Sequence, residues 1–242
     1  MKEEIKLLDE NGLRLDGRKP DEMRKIEARA GVLKNADGSG YFAFGNSVAV
    51  AGVYGPRRVI PQHLEDPEKA IIKCIYSMAP FSTKERVSPA PSRRSIEISM
   101  VLRKALESVV FLHEFPRTMI EVYVEIVDAN ASTRCAALNA AAIAMADAGI
   151  PMRDLVSAVS VGRIGEQIIL DVAGKEDELG DADIAFAYVP TKNEIALLQM
   201  DGIITKEQLR EAIKKAIDAC KLVYEAQKKA LKERYEKIEV VI

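Results

Sequence analysis

The first half of the chain shows strand-like patterning followed by a helical repeat. Residues 26–56 predict strands joined by turns, because residues 36–40 read Ala-Asp-Gly-Ser-Gly and residues 47–54 form a run of small side chains. Residues 70–78 alternate between apolar and polar positions, which predicts another strand. After a loop rich in proline and serine, residues 92–110 carry apolar side chains at helical spacing: Ile96, Met100, Leu102, Leu106 and Val110. We expect this helix to pack on the sheet.

The second half repeats this order. It predicts a strand at 119–127, an alanine-rich helix at 134–148, and hairpin-like strands at 156–162, 167–172, 184–189 and 194–200. Residues 206–235 predict a long amphipathic helix. Thr205, just before this range, and Gln208 form a capping-box arrangement at its start. The mixture predicts an α+β fold in one domain, residues 1–242, with mixed sheets packed with helices and two similar halves at about 12–115 and 116–240.

The overall charge limits the classes of function. The formal net charge of the 242 residues is −2, so any RNA or DNA binding must come from a local patch and not from a generally basic surface. No apolar run reaches the length of a membrane span, and the first residues lack the basic-then-apolar order of a signal peptide. These patterns predict a cytoplasmic protein.

The cysteines and histidines do not form a recognisable metal or disulfide pattern. Cys74, Cys135 and Cys220 are far apart in the chain, and His63 and His113 are the only histidines. Neither a zinc site nor a disulfide framework is supported by these spacings. We therefore expect reduced, buried thiols.

Arginines stand at two predicted helix N-termini, where the helix dipole disfavours cations. Arg93 and Arg94 fall in the first turn of the predicted helix 92–110, and Arg134 follows Ser132 and Thr133 at the start of the alanine-rich helix. A phosphate-rich ligand would account for both placements, because guanidinium groups and helix N-termini bind phosphate oxygens. The alternatives are surface arginines for the first pair and a helix cap with a neighbouring salt bridge for the second.

Two further arginines are weaker candidates for the same site. Arg86 and Arg117 lie in loops that contain proline. Exposed charge is ordinary in such loops, so solvation or a structural role is the alternative for each.

Three carboxylates could converge at one edge of the second sheet. Asp177 and Asp183 flank a short loop that contains Gly180, and Asp171 ends the preceding predicted strand. Converging carboxylates bind Mg²⁺ or raise one another's pKa, so this group could supply a metal site or a proton donor. The alternative is a solvated acidic loop.

A series of motifs in a fixed order carries a family resemblance. The motifs are Leu15-Asp16-Gly17-Arg18, Pro80-Phe81-Ser82, Pro89-Ala90-Pro91-Ser92-Arg93-Arg94, Phe115-Pro116-Arg117, Asp147-Ala148-Gly149-Ile150-Pro151-Met152-Arg153-Asp154, and Glu176-Asp177 with Asp183. Taken together they resemble the ribonuclease PH family, most closely the phosphorolytic subunit of archaeal RNA exosomes. The resemblance implies a ribonuclease PH-like fold and a phosphate-dependent 3′-to-5′ exoribonuclease that releases nucleoside 5′-diphosphates and runs backwards to add RNA tails.

The resemblance also implies roles for individual residues. Asp177 and Asp183 would be catalytic and could hold Mg²⁺, with Asp171 a weaker ligand. Inorganic phosphate, the co-substrate, would be bound by Ser132, Thr133 and Arg134. The family often has glycine just before the Thr133-Arg134 pair, where this chain has Ala131-Ser132. RNA would be bound near its 3′ end by Arg93 and Arg94, with Arg86, Arg117 and His63 as further contacts.

The implied partners form a ring. This subunit would alternate with a related, non-catalytic subunit in a hexamer that carries RNA-binding cap subunits and acts on single-stranded 3′ ends. One alternative is a non-catalytic RNA-binding ring subunit, which should lack the Asp177 and Asp183 pair. The other is the homohexameric ribonuclease PH that trims transfer RNA.

Overall fold

Two sheets and four α-helices make up the computed structural model, which describes residues 7–9 and 12–239. In chain order the elements are β1 Ile26–Ala30, β2 Gly38–Phe44, β3 Ser47–Arg58, β4 Ile71–Met78, α1 Arg93–Glu107, β5 Thr118–Asp128, α2 Thr133–Asp147, β6 Ser157–Ile164, β7 Gln167–Leu170, α3 Lys175–Leu179, β8 Ala182–Val189, β9 Glu194–Gly202 and α4 Lys206–Glu239. Short 3₁₀ turns lie at Gln62–Leu64 and Leu112–Glu114. The predicted α+β class is confirmed.

The first sheet orders its strands β1-β2-β3-β5-β4, and only β4 and β5 run parallel within it. Helix α1 is the crossover between these two strands and buries Ile98, Leu102 and Leu106. Strand β5 pairs with both β3 and β4, so it is an inner strand of the first sheet. The division of the chain near residue 115 therefore does not coincide with the division between the sheets, which falls after β5.

Helix α2 is the central element, because it packs against β2, β3 and β5 of the first sheet and against β6 and β8 of the second. Twelve of its fifteen residues are buried, and seven of the fifteen are alanine. A Cβ added to Gly40 on β2 would lie 2.3 Å from the carbonyl oxygen of Ala140, so backbone meets backbone at this contact. The close approach predicted from the alanines is confirmed, and it fixes where the N-terminus of α2 lies.

One buried amide ties α2 to the second sheet. Asn139 accepts a hydrogen bond from the backbone N–H of Ala158 and donates to the carbonyl of Ala158, both at 2.8 Å. Gln227 on α4 donates to the carbonyl of Val156 at 3.0 Å and to Asn139 Oδ1 at 3.3 Å. Because these groups are fully buried, the hydrogen bonds set the register of α2 and α4 against β6.

The predicted helix boundaries differ from the observed ones by a few residues. Helix α1 ends at Glu107, three residues before the predicted end, while α4 begins at Lys206 behind the predicted capping box of Thr205 and Gln208. The acidic segment after β7 contains the five-residue helix α3, which the sequence did not predict. Its apolar content is too low to give a helical pattern.

The sequence predicted buried, reduced cysteines and no membrane span. The three cysteines are free and buried, as predicted, and burial raises the pKa of Cys74 and of Cys220 to about 12. Within residues 7–9 and 12–239, none of the helices has both the length and the apolar character needed to cross a bilayer.

Replacing Gly40 with alanine should destabilise the protein by about 1–3 kcal/mol or more, because the new methyl group would press on the backbone of α2. Gly52→Ala is the matched control in β3, where the nearest atom is the tip of the Leu33 side chain at 3.1 Å. Urea unfolding of both variants measures the difference. Equal stability of the two variants would contradict backbone contact as the determinant of the position of α2.

Candidate active site

A cavity of about 440 Å³ lies where several helix and strand ends meet. It is lined by Arg94 and Glu97 from α1, Arg134 from α2, Asp177 from α3, Asp183 from β8, and Gln199, Met200 and Asp201 from β9. Seven of these eight side chains are polar or charged. The structure thus brings together residues that are separated by more than one hundred positions in the sequence.

Two arginines of the cavity have no carboxylate partner. Arg94 and Arg134 form no ion pair with any described residue, and Nε of Arg134 is buried without a hydrogen-bond acceptor. Both stand in the first turn of a helix, where backbone N–H groups also lack intrahelical acceptors. Unpaired guanidinium groups at helix N-termini are suited to binding anions.

Asp183 is the most perturbed carboxyl group of the cavity. Burial, followed by the charge of Asp177, raises its pKa from 3.8 to about 6, while the guanidinium of Arg134 and other groups act in the opposite direction. Its Oδ1 atom is buried and has no hydrogen-bond donor among the described residues. Near neutral pH this group is therefore able to hold or release a proton.

The cavity contains a third aspartate that the sequence did not reveal. Asp201 on β9 lies directly opposite Asp183 on β8 in the antiparallel register, so the two carboxylates share one face of the sheet. Only the strand pairing shows this neighbour, which explains why a reading of sequence spacing missed it. Glu97 was missed too, although its position one helical turn after Arg94 is a signal that could have identified it.

The loop before α2 adopts the backbone shape that glycine usually provides. Ala131 and Ser132 both lie in the left-handed region, with φ values of 62° and 55°. The Ser132 hydroxyl donates to the carbonyl of Val172 at 2.6 Å and lies 2.5 Å from the hydroxyl of Ser160. Its proton is thus used inside the protein, where the hydroxyl holds the loop in place. The predicted role of Ser132 in phosphate binding stays a prediction.

Thr133 is not among the residues that line the cavity. It is buried at the first position of α2, and the hydroxyl of Tyr76 donates to its Oγ1 at 3.0 Å. Because Thr133 accepts this hydrogen bond, its own hydroxyl proton remains free to be donated. The predicted role in phosphate binding stays a prediction.

Three arginines and two carboxylates form a second cluster, the N-terminal ion network, which consists of Arg14, Arg18, Arg24, Asp171 and Glu176. Arg24 donates to both carboxylate oxygens of Asp171, at 2.6 and 2.8 Å, and Arg18 adds a contact at 3.2 Å. Arg24 also donates to the carbonyl of Asn130 at 2.8 Å, in the loop before α2. The expected convergence of three carboxylates is therefore corrected: Asp171 serves as the anchor of this network and does not line the cavity.

The same network fixes the helix that carries Asp177. The guanidinium of Arg14 forms two hydrogen bonds with the Glu176 carboxylate, including one of 2.8 Å from Nε, and both side chains are almost completely buried. Glu176 also accepts from the backbone N–H of Ala173 at 2.9 Å, which closes the first turn of α3. Asp177, the next residue, is thereby held at the cavity although its own side chain is exposed.

The carboxylates of the cavity could supply some, but not all, of the ligands that a metal ion needs. Among the residues that the structure describes, no group of three or more His, Cys, Asp or Glu side chains is arranged to hold one. Mg²⁺ commonly uses one or two carboxylates and completes its shell with water and substrate phosphate. Asp177 and Asp183 satisfy that smaller requirement.

The other predicted RNA-binding residues lie outside this cavity. Arg93 is exposed at the first position of α1, next to Arg94, and Arg86 is exposed in the loop before it. Arg117 lies 3.6 Å from Glu65 at the start of β5, near the 3₁₀ turn that carries the exposed His63. Because α2 follows the other end of β5, these last two residues are at the opposite end of that strand from Arg134. Their RNA contacts remain predictions.

Comparison with protein families gives two adjacent matches. The model of the 3′ exoribonuclease family, domain 1, matches residues 22–151, and the model of domain 2 of the same family matches residues 154–219. The two matches include every residue that lines the cavity.

Curated relatives are similar along nearly the whole chain. The exosome complex component Rrp41 of Pyrococcus furiosus is 55% identical over 236 residues, which cover 98% of this chain and 94% of that protein. The protein of the same name from Nitrosopumilus maritimus is 52% identical, with 95% and 94% covered.

Solved structures share the fold at lower sequence identity. Rice Rrp46 has a TM-score of 0.82 and 24% identity, with 90% of this chain and 100% of that chain covered. A chain of the Archaeoglobus fulgidus exosome with RNA bound to the active site has a TM-score of 0.78 and 21% identity, with 89% and 92% covered.

Asp183→Asn should stabilise the protein at pH 7 by about 1–3 kcal/mol, because it removes a buried charge. The folded pKa of about 6 exceeds the usual 3.8, so wild-type stability falls as the pH rises through this interval and stays low above it. The gain should therefore vanish near pH 4. Unfolding measured from about pH 4 to pH 8 tests this, with the exposed Glu178→Gln as the control, and a gain independent of pH would contradict the shifted pKa.

Arg14→Met should cost about 3–5 kcal/mol of stability, because it leaves the Glu176 carboxylate buried without its cation. Arg29→Met is the comparison, since the Arg29 and Glu27 pair is exposed and its loss should change stability little. Chemical denaturation of both variants measures the difference. A loss no greater than that of Arg29→Met would show that the network is not a structural anchor.

Proposed function

Because the chain belongs to the ribonuclease PH family of 3′ exoribonucleases, as its motifs predicted, we propose that it is the phosphorolytic subunit of an RNA exosome. In this role it uses inorganic phosphate to remove nucleotides from the 3′ end of single-stranded RNA as nucleoside 5′-diphosphates. The observation that carries the proposal is one cavity in which two unpaired arginines face a carboxyl group with a pKa near neutrality.

The arginines hold two anions that repel each other. In this mechanism Arg134 and the N–H groups at the start of α2 bind inorganic phosphate, while Arg94, with its exposed neighbour Arg93, binds the RNA backbone. Holding both groups in one cavity converts a reaction between two separated anions into one between neighbours. The cationic charge also stabilises the transition state, in which negative charge spreads over the transferred phosphoryl group.

The carboxylates act on the oxygen that leaves. An oxygen of inorganic phosphate attacks the phosphorus of the last phosphodiester, and the bond from that phosphorus to the 3′ oxygen breaks. Protonated Asp183 gives its proton to the departing oxygen, and burial, followed by the charge of Asp177, keeps the pKa of Asp183 high enough for this donation. The products are a nucleoside 5′-diphosphate and an RNA shortened by one nucleotide. If Mg²⁺ is bound, Asp177 and Asp183 would hold it, and it would stabilise charge on the same oxygen.

The reaction should run in both directions. A phosphodiester is exchanged for a phosphoanhydride of similar reactivity, so abundant nucleoside diphosphate drives RNA tailing. The same residues serve both directions, because the forward and reverse reactions share one transition state.

The proposed assembly is a hexameric ring with a related non-catalytic subunit, joined by RNA-binding caps. Support comes from the similarity along almost the full chain to proteins named as exosome components. The presence of both Asp177 and Asp183 favours the catalytic subunit over a non-catalytic ring member. A ring also explains how a chain of net charge −2 could enclose a positively charged channel.

Asp183→Ala should lower phosphate-dependent RNA shortening roughly 10²–10⁴-fold, because the leaving oxygen loses its proton donor. Arg134→Lys should mainly raise the phosphate concentration needed for half-maximal rate, since lysine cannot form the bidentate contact. Both are measured with the chain assembled with its ring partner, on 5′-labelled RNA, and with analysis of the released nucleotides.

Glu178→Gln, an exposed change on α3, is the matched control and should retain full activity. Release of nucleoside monophosphates, independent of phosphate, would mean hydrolysis and would contradict the proposal. Full activity of Asp183→Ala in an intact ring would remove Asp183 from the mechanism.

A further inference from the structure

The cavity contains a carboxylate that anion binding does not explain. Glu97 lies one helical turn after Arg94, lines the cavity, and forms no ion pair with any described residue. A carboxylate in this position repels phosphate and so weakens the site around it. A substrate group that binds next to Glu97 must therefore differ from phosphate.

Glu97 is held from another element of the fold. Nε2 of Gln199 on β9 donates to Glu97 Oε1 at 2.5 Å, which joins two residues 102 positions apart. Since a carboxylate only accepts hydrogen bonds, the amide must turn its NH₂ group toward Glu97. This orientation leaves Gln199 Oε1 buried without a hydrogen-bond donor among the described residues. Gln199 thus leaves its own carbonyl oxygen without a hydrogen bond from any described residue, while its NH₂ group fixes the orientation of Glu97.

The substrate group that meets Glu97 must be a hydrogen-bond donor. Ionised phosphates have none, and the donors on base edges differ from base to base. An enzyme that shortens RNA one nucleotide at a time must accept every base in turn. The ribose 2′-hydroxyl is the donor that each RNA nucleotide carries and DNA lacks.

We infer that Glu97, positioned by Gln199, accepts a hydrogen bond from a ribose 2′-hydroxyl at the scissile linkage and makes the site selective for RNA over DNA. The inference rests on the proposed function, because it concerns the same cavity. Glu97 is the residue that determines specificity, and Gln199 is a positioning residue that acts through it.

Asp201 provides a matched comparison on the same wall. It is a carboxylate of the same cavity, but its Oδ1 accepts only from the backbone N–H of the adjacent Gly202, at 2.9 Å. Within the described part of the chain, no side chain from another element holds it. A change at Asp201 therefore alters the charge of the cavity and leaves the Glu97 and Gln199 pair intact.

The test uses the ring-assembled protein and short RNAs that carry a single 2′-deoxynucleotide on one or the other side of the scissile phosphate. The measured quantity is the ratio of kcat/KM for all-RNA to that for the deoxy-substituted strand. Wild type should prefer RNA roughly tenfold or more at one of the two positions, since a hydrogen bond to a charged group is lost. Glu97→Ala should bring this ratio close to one, and Gln199→Leu should lower it.

Glu97→Gln and Asp201→Asn distinguish hydrogen bonding from charge. Glu97→Gln keeps an acceptor and should retain part of the preference, whereas Asp201→Asn should retain all of it. The inference would be overturned if Glu97→Ala keeps phosphate-dependent activity but leaves the ratio unchanged. It would also be overturned if this variant raises the rates on the all-RNA and the deoxy-substituted strand equally. Absence of phosphate-dependent activity in wild type would instead overturn the proposed function.

Discussion

The bidentate pair between Arg24 and Asp171 is the interaction on which the site depends. Asp171 directly follows β7, and Arg24 joins it to the backbone of Asn130 just before α2. A second buried pair, Arg14 with Glu176, holds the turn that presents Asp177. Buried ion pairs contribute little net stability compared with apolar packing, but breaking one is costly. The N-terminal ion network therefore keeps the anion-binding loop and the acidic helix α3 at a constant separation.

The proposed reaction depends on arginines and aspartates that lie together in one cavity, although the total charge of the protein is almost neutral. Among the described residues, Arg94 and Arg134 have no carboxylate within ion-pair distance and Asp183 has no cation within that distance. The pKa of Asp183 is raised. Each of these groups would be more stable if it were paired. The fold tolerates them because α2 is locked between two sheets by backbone contact and by the buried amide of Asn139. Rigid packing holds the unpaired arginines in place, and a phosphate group of the substrate can then pair with them.

The sequence predicted most strands and helices, because their periodicity and caps are local signals. It also placed Arg94, Arg134, Asp177 and Asp183 in one site, partly from helix-terminus logic and partly from resemblance to a family. It could not predict the contribution of β9, since the pairing of Asp201 with Asp183 depends on strand register. The orientation of Asp171 and the Ser132 hydroxyl depended on partners more than 25 residues away, which spacing alone does not reveal.

The central claim is that inorganic phosphate is the nucleophile. The most direct measurement incubates the ring-assembled protein with unlabelled single-stranded RNA and ³²P-labelled inorganic phosphate, and then locates the label in the products. If inorganic phosphate is the nucleophile, the label appears in the β-phosphate of the released nucleoside diphosphates and none enters the shortened RNA. Release of unlabelled nucleotides at the same rate would show that water is the nucleophile and would contradict the account.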